Sequence, residues 1–208
     1  MNDALALAIG YLFGSIPFGY LAGRVKGVDL RTRGSGNIGA ANAFRELGRG
    51  WGIAVMVGDI GKGVAGVLIA GALTEDPWPI LAGAAVMLGA IFPVWLGFRG
   101  GKGVAAAGGV TIGLFPLVSA LLIPLWVLIV LTTRITSLAS ITAAIAFTPL
   151  AAAFGYDWQY LLLAAAMSAL VLVRHRANIR RLLAGKEPRI ALRRPGRTAP
   201  SPPPGPNA

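Results

Sequence analysis

Long apolar runs leave this chain few ways to fold. Ala4 to Ala22, Trp51 to Leu73 and Ile80 to Phe98 are three of them, and a mostly apolar stretch from Val104 to Thr133 follows. Leu138 to Phe154 and Trp158 to Val173 complete the series. Hydrocarbon offers no partner to a backbone N–H or C=O, so only helices and closed barrels cross it. Barrel strands alternate apolar and polar residues, and these runs do not. The chain is therefore all-α and crosses a membrane several times. Its charged residues, at 13%, and its mean hydropathy of +0.69 agree, since soluble domains carry about 25% charged residues. The 29 glycines suit close helix packing in lipid. The Met-Asn-Asp start lacks the basic flank of a signal peptide, so the first run is expected to stay as a helix.

A net charge of +11 could suggest nucleic acid, but its placement argues for a membrane topology and no nucleic-acid partner. Cations cluster from Arg24 to Arg49, at Arg99 and Lys102, and from Arg174 onward, where nine Lys and Arg stand. Asp3, Glu75, Asp76 and Asp157 fall at the opposite ends of the runs, where Lys and Arg are absent. The positive-inside rule puts the cationic side in the cytoplasm. Parity then requires the Val104–Thr133 stretch to break, and Gly113-Leu-Phe-Pro116 is the natural place. A piece of ~10 residues reaches only ~15 Å, half of the ~30 Å core, so it must pack inside the protein as a half-helix. The expected architecture is seven transmembrane helices including the half-helix, with the N-terminus outside and the C-terminus cytoplasmic. Residues 1–190 make the membrane domain. Residues 191–208, rich in Pro, Gly and Ser from Pro195, are expected to be a disordered cytoplasmic tail.

Four basic elements on that one side carry the candidate chemistry. Arg31-Thr-Arg-Gly-Ser-Gly-Asn-Ile-Gly-Ala-Ala-Asn-Ala-Phe-Arg45 alternates Gly34, Gly36 and Gly39 with small polar residues. Glycine lets amide N–H groups approach a ligand, and a helix start offers such amides to an anion. Ile38 to Leu47 is the predicted helix, with Ser35 or Asn37 near its N-cap. Phe98-Arg-Gly-Gly-Lys-Gly-Val104 repeats the pattern: Gly100, Gly101 and Gly103 surround Lys102 just before the half-helix. Its spacing is not that of a Walker A loop, and its expected use is to aim N–H groups and the ammonium at a phosphate. Thr133-Arg-Ile-Thr-Ser-Leu-Ala-Ser140 supplies hydroxyls, with Thr136 or Ser137 as a possible helix cap. Arg174-His-Arg-Ala-Asn-Ile-Arg-Arg181 holds the one histidine, His175, together with Asn178.

Inside the second run, Asp59 and Lys62 stand three apart on one helix face and can pair. Ionisable groups at membrane depth face a bundle interior and mark function by default. One histidine and no cysteine leave no zinc site, no G-x-S-x-G elbow is present, and no cofactor is expected. The ligand class that remains bears phosphate and meets lipid. A transporter of a small organic anion and a non-catalytic lipid-binding scaffold are the competing readings, but the internal repeats of transporters are not visible.

These motifs together resemble the bacterial PlsY family. The residues that carry the resemblance are Gly14-Ser-Ile-Pro-Phe-Gly19, Arg31-x-x-Gly-Ser-Gly-Asn-x-Gly-Ala-x-Asn42 with Arg45, Asp59-x-x-Lys-Gly63 and Phe92-Pro. Phe98-x-Gly-Gly-Lys-Gly-Val-Ala105, Thr133-Arg-x-x-Ser-Leu-x-Ser140 and Arg174-His-x-x-Asn-Ile-x-Arg-Leu-Leu-x-Gly-x-Glu187 extend it along the chain. The resemblance implies acyl transfer from acyl phosphate to the sn-1 hydroxyl of glycerol 3-phosphate, giving lysophosphatidic acid and phosphate. It implies a multi-pass protein of the bacterial inner membrane, working as a monomer with its site at the cytoplasmic face. Catalytic roles are implied for Ser35, Lys102 and His175. Substrate binding is implied for Gly34, Gly36, Asn37, Asn42, Arg45, Asp59, Lys62, Gly100, Gly101, Gly103, Ser137 and Asn178. The chain departs from the family pattern in three places: Ala41, Ala90 and Ala106 stand where Thr, His and Thr are typical. These changes bear on rate and donor preference.

Overall fold

The computed structural model describes residues 2–190, so the expected tail at 191–208 lies outside the described residues. Those residues form α1 (Asn2–Ser15), α2 (Phe18–Val25), α3 (Ala40–Glu46), α4 (Arg49–Leu73) and α5 (Trp78–Ile91). After a 3-10 turn at Val94–Leu96 come α6 (Val104–Leu114), α7 (Pro116–Thr133), α8 (Thr136–Ala153), α9 (Trp158–Arg174) and α10 (Arg176–Leu183). Asp3–Val25, Arg49–Leu73, Trp78–Leu96, Pro116–Thr133 and Thr136–Ala153 are each long and apolar enough to cross a membrane. α9 and α10 make a sixth such segment, bent by 59° between them. Leu5, Val57, Leu128, Ile145 and Leu162 point outward, as lipid-facing side chains do.

Prolines set the breaks. The first run is two helices, because Pro17 has no N–H to continue the ladder and Phe18 N–H turns back to the Ile16 carbonyl (3.2 Å). α5 stops at Ile91, seven residues short of the expected end at Phe98, because Phe92-Pro93 interrupts it and the chain turns through Gly97 and Phe98, both at positive φ (58° and 63°). α6 ends at Leu114 and α7 starts at Pro116, within the predicted Gly113–Pro116 break.

Glycines let the helices touch backbone to backbone. A Cβ on Gly109 of α6 would lie 2.8 Å from Gly63 Cα of α4, and one on Gly63 would lie 2.9 Å from Gly109 Cα. That contact seats the short α6 against a full-length span. α1 lies as close to α5, where a Cβ on Gly89 would lie 2.8 Å from the Ser15 nitrogen. Around α6 the main core gathers Val86, Met87 and Ile91 of α5, Val110, Phe147 of α8 and Met167 of α9. Phe115, at the α6–α7 break, is fully buried and stacks edge-on against Phe147 (4.9 Å) and Tyr160 (5.6 Å).

Candidate active site

α6 opens at Gly103, whose φ of 75° turns the chain into the helix. Its first amide to make the normal helical bond is that of Ala107, which donates to the Gly103 carbonyl (2.7 Å). The amides of Val104, Ala105 and Ala106 precede that bond and belong to the first turn, whose N–H groups find no partner within the helix. Lys102 stands immediately before them. Its ammonium donates to Asn178 Oδ1 on α10, and the Asn178 amide nitrogen donates to Glu187 Oε1. Ser137 Oγ donates to the same Glu187 oxygen (2.7 Å), and Arg181 Nε donates to its other oxygen (2.7 Å). One carboxylate thus gathers groups from α8, α10 and, through Asn178, the Lys102 loop. Glu187 reaches that place because the chain folds back after α10, and Ile190 N–H donates to the Arg134 carbonyl (2.8 Å).

The electrostatics follow from this packing. Burial pulls the Lys102 ammonium down to about 8, opposed by Glu187 and reinforced by Arg181, Arg45 and Arg174. Burial acts to raise the Glu187 carboxyl, yet hydrogen bonds from Arg181, Asn178 and Ser137 hold it below the usual carboxylate range. His175 is 2% exposed, and its Nδ1 lies 2.8 Å from the Val171 carbonyl. A carbonyl only accepts, so Nδ1 carries the proton and Nε2 is the acceptor of the neutral ring.

A cavity of about 510 Å³ joins this polar cluster to an apolar interior. Ser35, Arg45, Lys102, Ser137, His175 and Asn178 all line it, together with Asn37, Asn42, Asp59, Lys62, Gly101 and Gly103. Further in, its walls are apolar side chains of α7 and α8, such as Leu122, Ala144 and Phe147. Ala41, Ala90 and Ala106, the three departures from the family pattern, line it as well.

Several candidates serve the loops rather than face the cavity. Gly34, Gly36 and Gly100 are not on its wall. Gly34 and Gly36 turn at φ of 54° and 69°, and a Cβ on Gly34 would come within 2.5 Å of Glu46 Oε1. Gly100 lies so close to the end of α5 that a Cβ would stand 2.6 Å from the Ala90 carbonyl oxygen. The Gly100 and Gly101 amides, expected to point at a phosphate, instead donate to the Ile91 and Ala90 carbonyls (3.0 and 3.2 Å) that the early end of α5 leaves open. Arg174 adds a bond to the Gly101 carbonyl (2.9 Å), so the turn is fixed and Lys102 is left projecting.

The first loop is clasped in the same way. Asn42 is 1% exposed; its Oδ1 accepts from Ser35 N–H (3.0 Å), and its nitrogen donates to the Leu30 and Arg33 carbonyls. The N-cap of α3 is Gly39 rather than Ser35 or Asn37, and Asn37 Oδ1 accepts from Gly39 N–H (2.8 Å). Arg45 donates to Ser35 Oγ (3.3 Å). α8 is capped by neither Thr136 nor Ser137: its N-cap residue is Ile135, whose N–H donates to Thr133 Oγ1 (3.1 Å). Asp59 and Lys62 pair at 2.7 Å as their spacing predicts, and the same ammonium also donates to the Ile16 carbonyl (2.8 Å) at the α1–α2 break.

Glu187, Arg181 and Arg174 were not among the sequence candidates, although they fall within the last motif. Glu187 is the lone carboxylate between Arg174 and Arg189, which is the signal that was there to be read.

Comparison with known proteins identifies the family and the fold. The family model described as glycerol-3-phosphate acyltransferase matches residues 4–185. Glycerol-3-phosphate acyltransferases of Synechococcus sp. (strain CC9902) and Desulforudis audaxviator (strain MP104C) are each 45% identical over 192 residues, covering 91% of this chain and 96% of the relative. The crystal structure of PlsY, an integral membrane glycerol 3-phosphate acyltransferase, in its glycerol 3-phosphate form superposes with a TM-score of 0.87 at 42% identity, covering 92% of this chain and 96% of that one. Its lysophosphatidic acid form gives 0.84 at 41% identity, covering 91% and 95%. The chain belongs to the glycerol-3-phosphate acyltransferase family of integral membrane proteins represented by PlsY.

Proposed function

We propose that this protein transfers a fatty acyl group from acyl phosphate to the sn-1 hydroxyl of glycerol 3-phosphate, as a monomer in the bacterial inner membrane. The observation that carries the reading is a single cavity with cations and hydroxyls at one end and an alkyl-lined interior at the other. Relatives at 45% identity bear the name glycerol-3-phosphate acyltransferase, and related structures hold glycerol 3-phosphate and lysophosphatidic acid. Lysophosphatidic acid combines the two chemistries that the cavity walls offer, and glycerol 3-phosphate carries the polar one.

Acyl phosphate is already activated, so the site has to position two anions and stabilise developing charge. Lys102, Arg45 and the first-turn amides of α6 hold the phosphates. Ser35 and Ser137 hydrogen-bond to them, and Asn178 keeps the ammonium aimed. Ser35 N–H, Asn37, Asn42, Gly34 and Gly36 shape the first loop, while Gly100, Gly101 and Gly103 shape the second. The buried Asp59–Lys62 pair fixes the α1–α2 break beside them.

In the reaction the acceptor hydroxyl oxygen bonds to the acyl carbonyl carbon and an oxyanion forms next to Lys102. Collapse breaks the carbon–oxygen bond to phosphate, and the departing phosphate takes the hydroxyl proton. His175 Nε2 accepts a hydrogen bond from the neighbouring sn-2 hydroxyl and so orients the acceptor, leaving the sn-1 proton to the phosphate.

Counting α1 with α2 as one crossing, and α4 to α9 after it, gives seven membrane elements. The N-terminus then lies outside and the site at the cytoplasmic face, where the positive-inside rule puts the cations. The test is donor choice: purified protein should acylate glycerol 3-phosphate from palmitoyl phosphate. Equal or better transfer from palmitoyl coenzyme A would remove the acyl-phosphate assignment.

A further inference from the structure

On α8 the residues facing the cavity are small until the helix is well into the membrane. Ser137, Ser140, Ala144 and Phe147 line it at one-turn spacing, the periodicity of a single helix face. α7 runs opposite, with Val130, Trp126 and Leu122, and Trp126 Nε1 donates to Ser140 Oγ (3.1 Å), joining the two walls. Between these faces lies the apolar part of the cavity, with Ile123 and Val127 also on its α7 wall.

This part of the cavity ends on an aromatic ring. Phe147 is 4% exposed and meets the fully buried Phe115 edge-on at 4.9 Å. Phe115 is held in turn by Tyr156 at 5.0 Å and Tyr160 at 5.6 Å. Leu122, Met167 and Thr111 line the same cavity and are all buried. From Ser137 at the polar mouth to Phe147 the helix rises about 15 Å at 1.5 Å per residue.

We infer that Phe147, braced by Phe115, is the stop that sets the length of acyl chain this protein accepts, and that Ala144 leaves the room leading up to it. This rests on the acyl-transfer reading: the reacting carbonyl sits at Lys102 and Ser137, and the chain runs along α8 toward Phe147. A ring backed by Phe115, itself held between Tyr156 and Tyr160, does not yield to one more methylene. In a closed hydrophobic pocket a single methylene is worth roughly tenfold or more in discrimination.

The experiment measures kcat/KM for lauroyl, palmitoyl and stearoyl phosphate, with thermal melting of each variant in detergent as a check of folding. Phe147→Ala should raise the stearoyl-to-lauroyl ratio by about tenfold or more, and Ala144→Leu should lower it by about as much. KM for glycerol 3-phosphate should stay at its wild-type value in both. An unchanged ratio in a folded variant with wild-type KM for glycerol 3-phosphate would overturn the inference while leaving acyl transfer intact. If Phe147→Ala fails to fold, Ala144→Leu decides alone. Absence of turnover by the wild type with every acyl phosphate would overturn the acyl-transfer reading, and the role of Phe147 with it.

Discussion

Lys102 is the residue whose environment makes the sharpest prediction. Burial brings its pKa from 10.5 down to about 8, so the charge is present below that pH and lost above it. kcat/KM, which reports the free enzyme, should therefore fall as pH rises through about 8. Lys102→Arg should remove this limb, because a guanidinium keeps its charge, and Lys102→Ala should lower kcat by about a hundredfold or more. Glu187 favours the charged form of Lys102, so Glu187→Gln should move the limb to lower pH. A limb that stays in place in Glu187→Gln would detach that carboxylate from Lys102. Lys102 was legible because glycines flank a lone lysine just before a helix. Glu187 was not, because a carboxylate in a basic segment reads as surface charge until the Ile190–Arg134 bond folds it inward.

At the scale of the element, α6 is the piece that places the site. Its existence followed from charge parity, and its end from Gly113-Leu-Phe-Pro116. The use of the Gly100 and Gly101 amides did not follow, since their partners are carbonyls exposed by a proline break in a different helix. What holds α6 in place is the glycine contact with α4. Gly109→Val should therefore lower the melting temperature, by overpacking of about 1–3 kcal/mol, and lower kcat with it as Lys102 shifts. Gly61→Ala on the same α4 meets nothing within 4 Å and should leave both unchanged. Equal behaviour of the two variants would show that the close approach of α4 and α6 is not what seats the half-helix.

For the whole molecule, most of the architecture was written in where the charges are and are not. Apolar runs gave the helices, and the lack of Lys and Arg around Glu75, Asp76 and Asp157 is what the proposed sidedness rests on. The interior of the cavity was less legible, because its walls come from α4, α6, α7, α8 and α9 and no single segment carries its shape. The orientation has a direct check, since the chain contains no cysteine. In intact cells an impermeant maleimide should label Asp157→Cys and spare Arg33→Cys; the reverse would invert the topology.

The central claim is that one cavity brings an acyl phosphate and glycerol 3-phosphate together for direct transfer. Its most direct test is the stoichiometry of purified protein in liposomes supplied with palmitoyl phosphate. Phosphate should be released only when glycerol 3-phosphate is present, with one lysophosphatidic acid formed for each phosphate released. Phosphate released at the same rate without glycerol 3-phosphate, or without lysophosphatidic acid appearing, would contradict it.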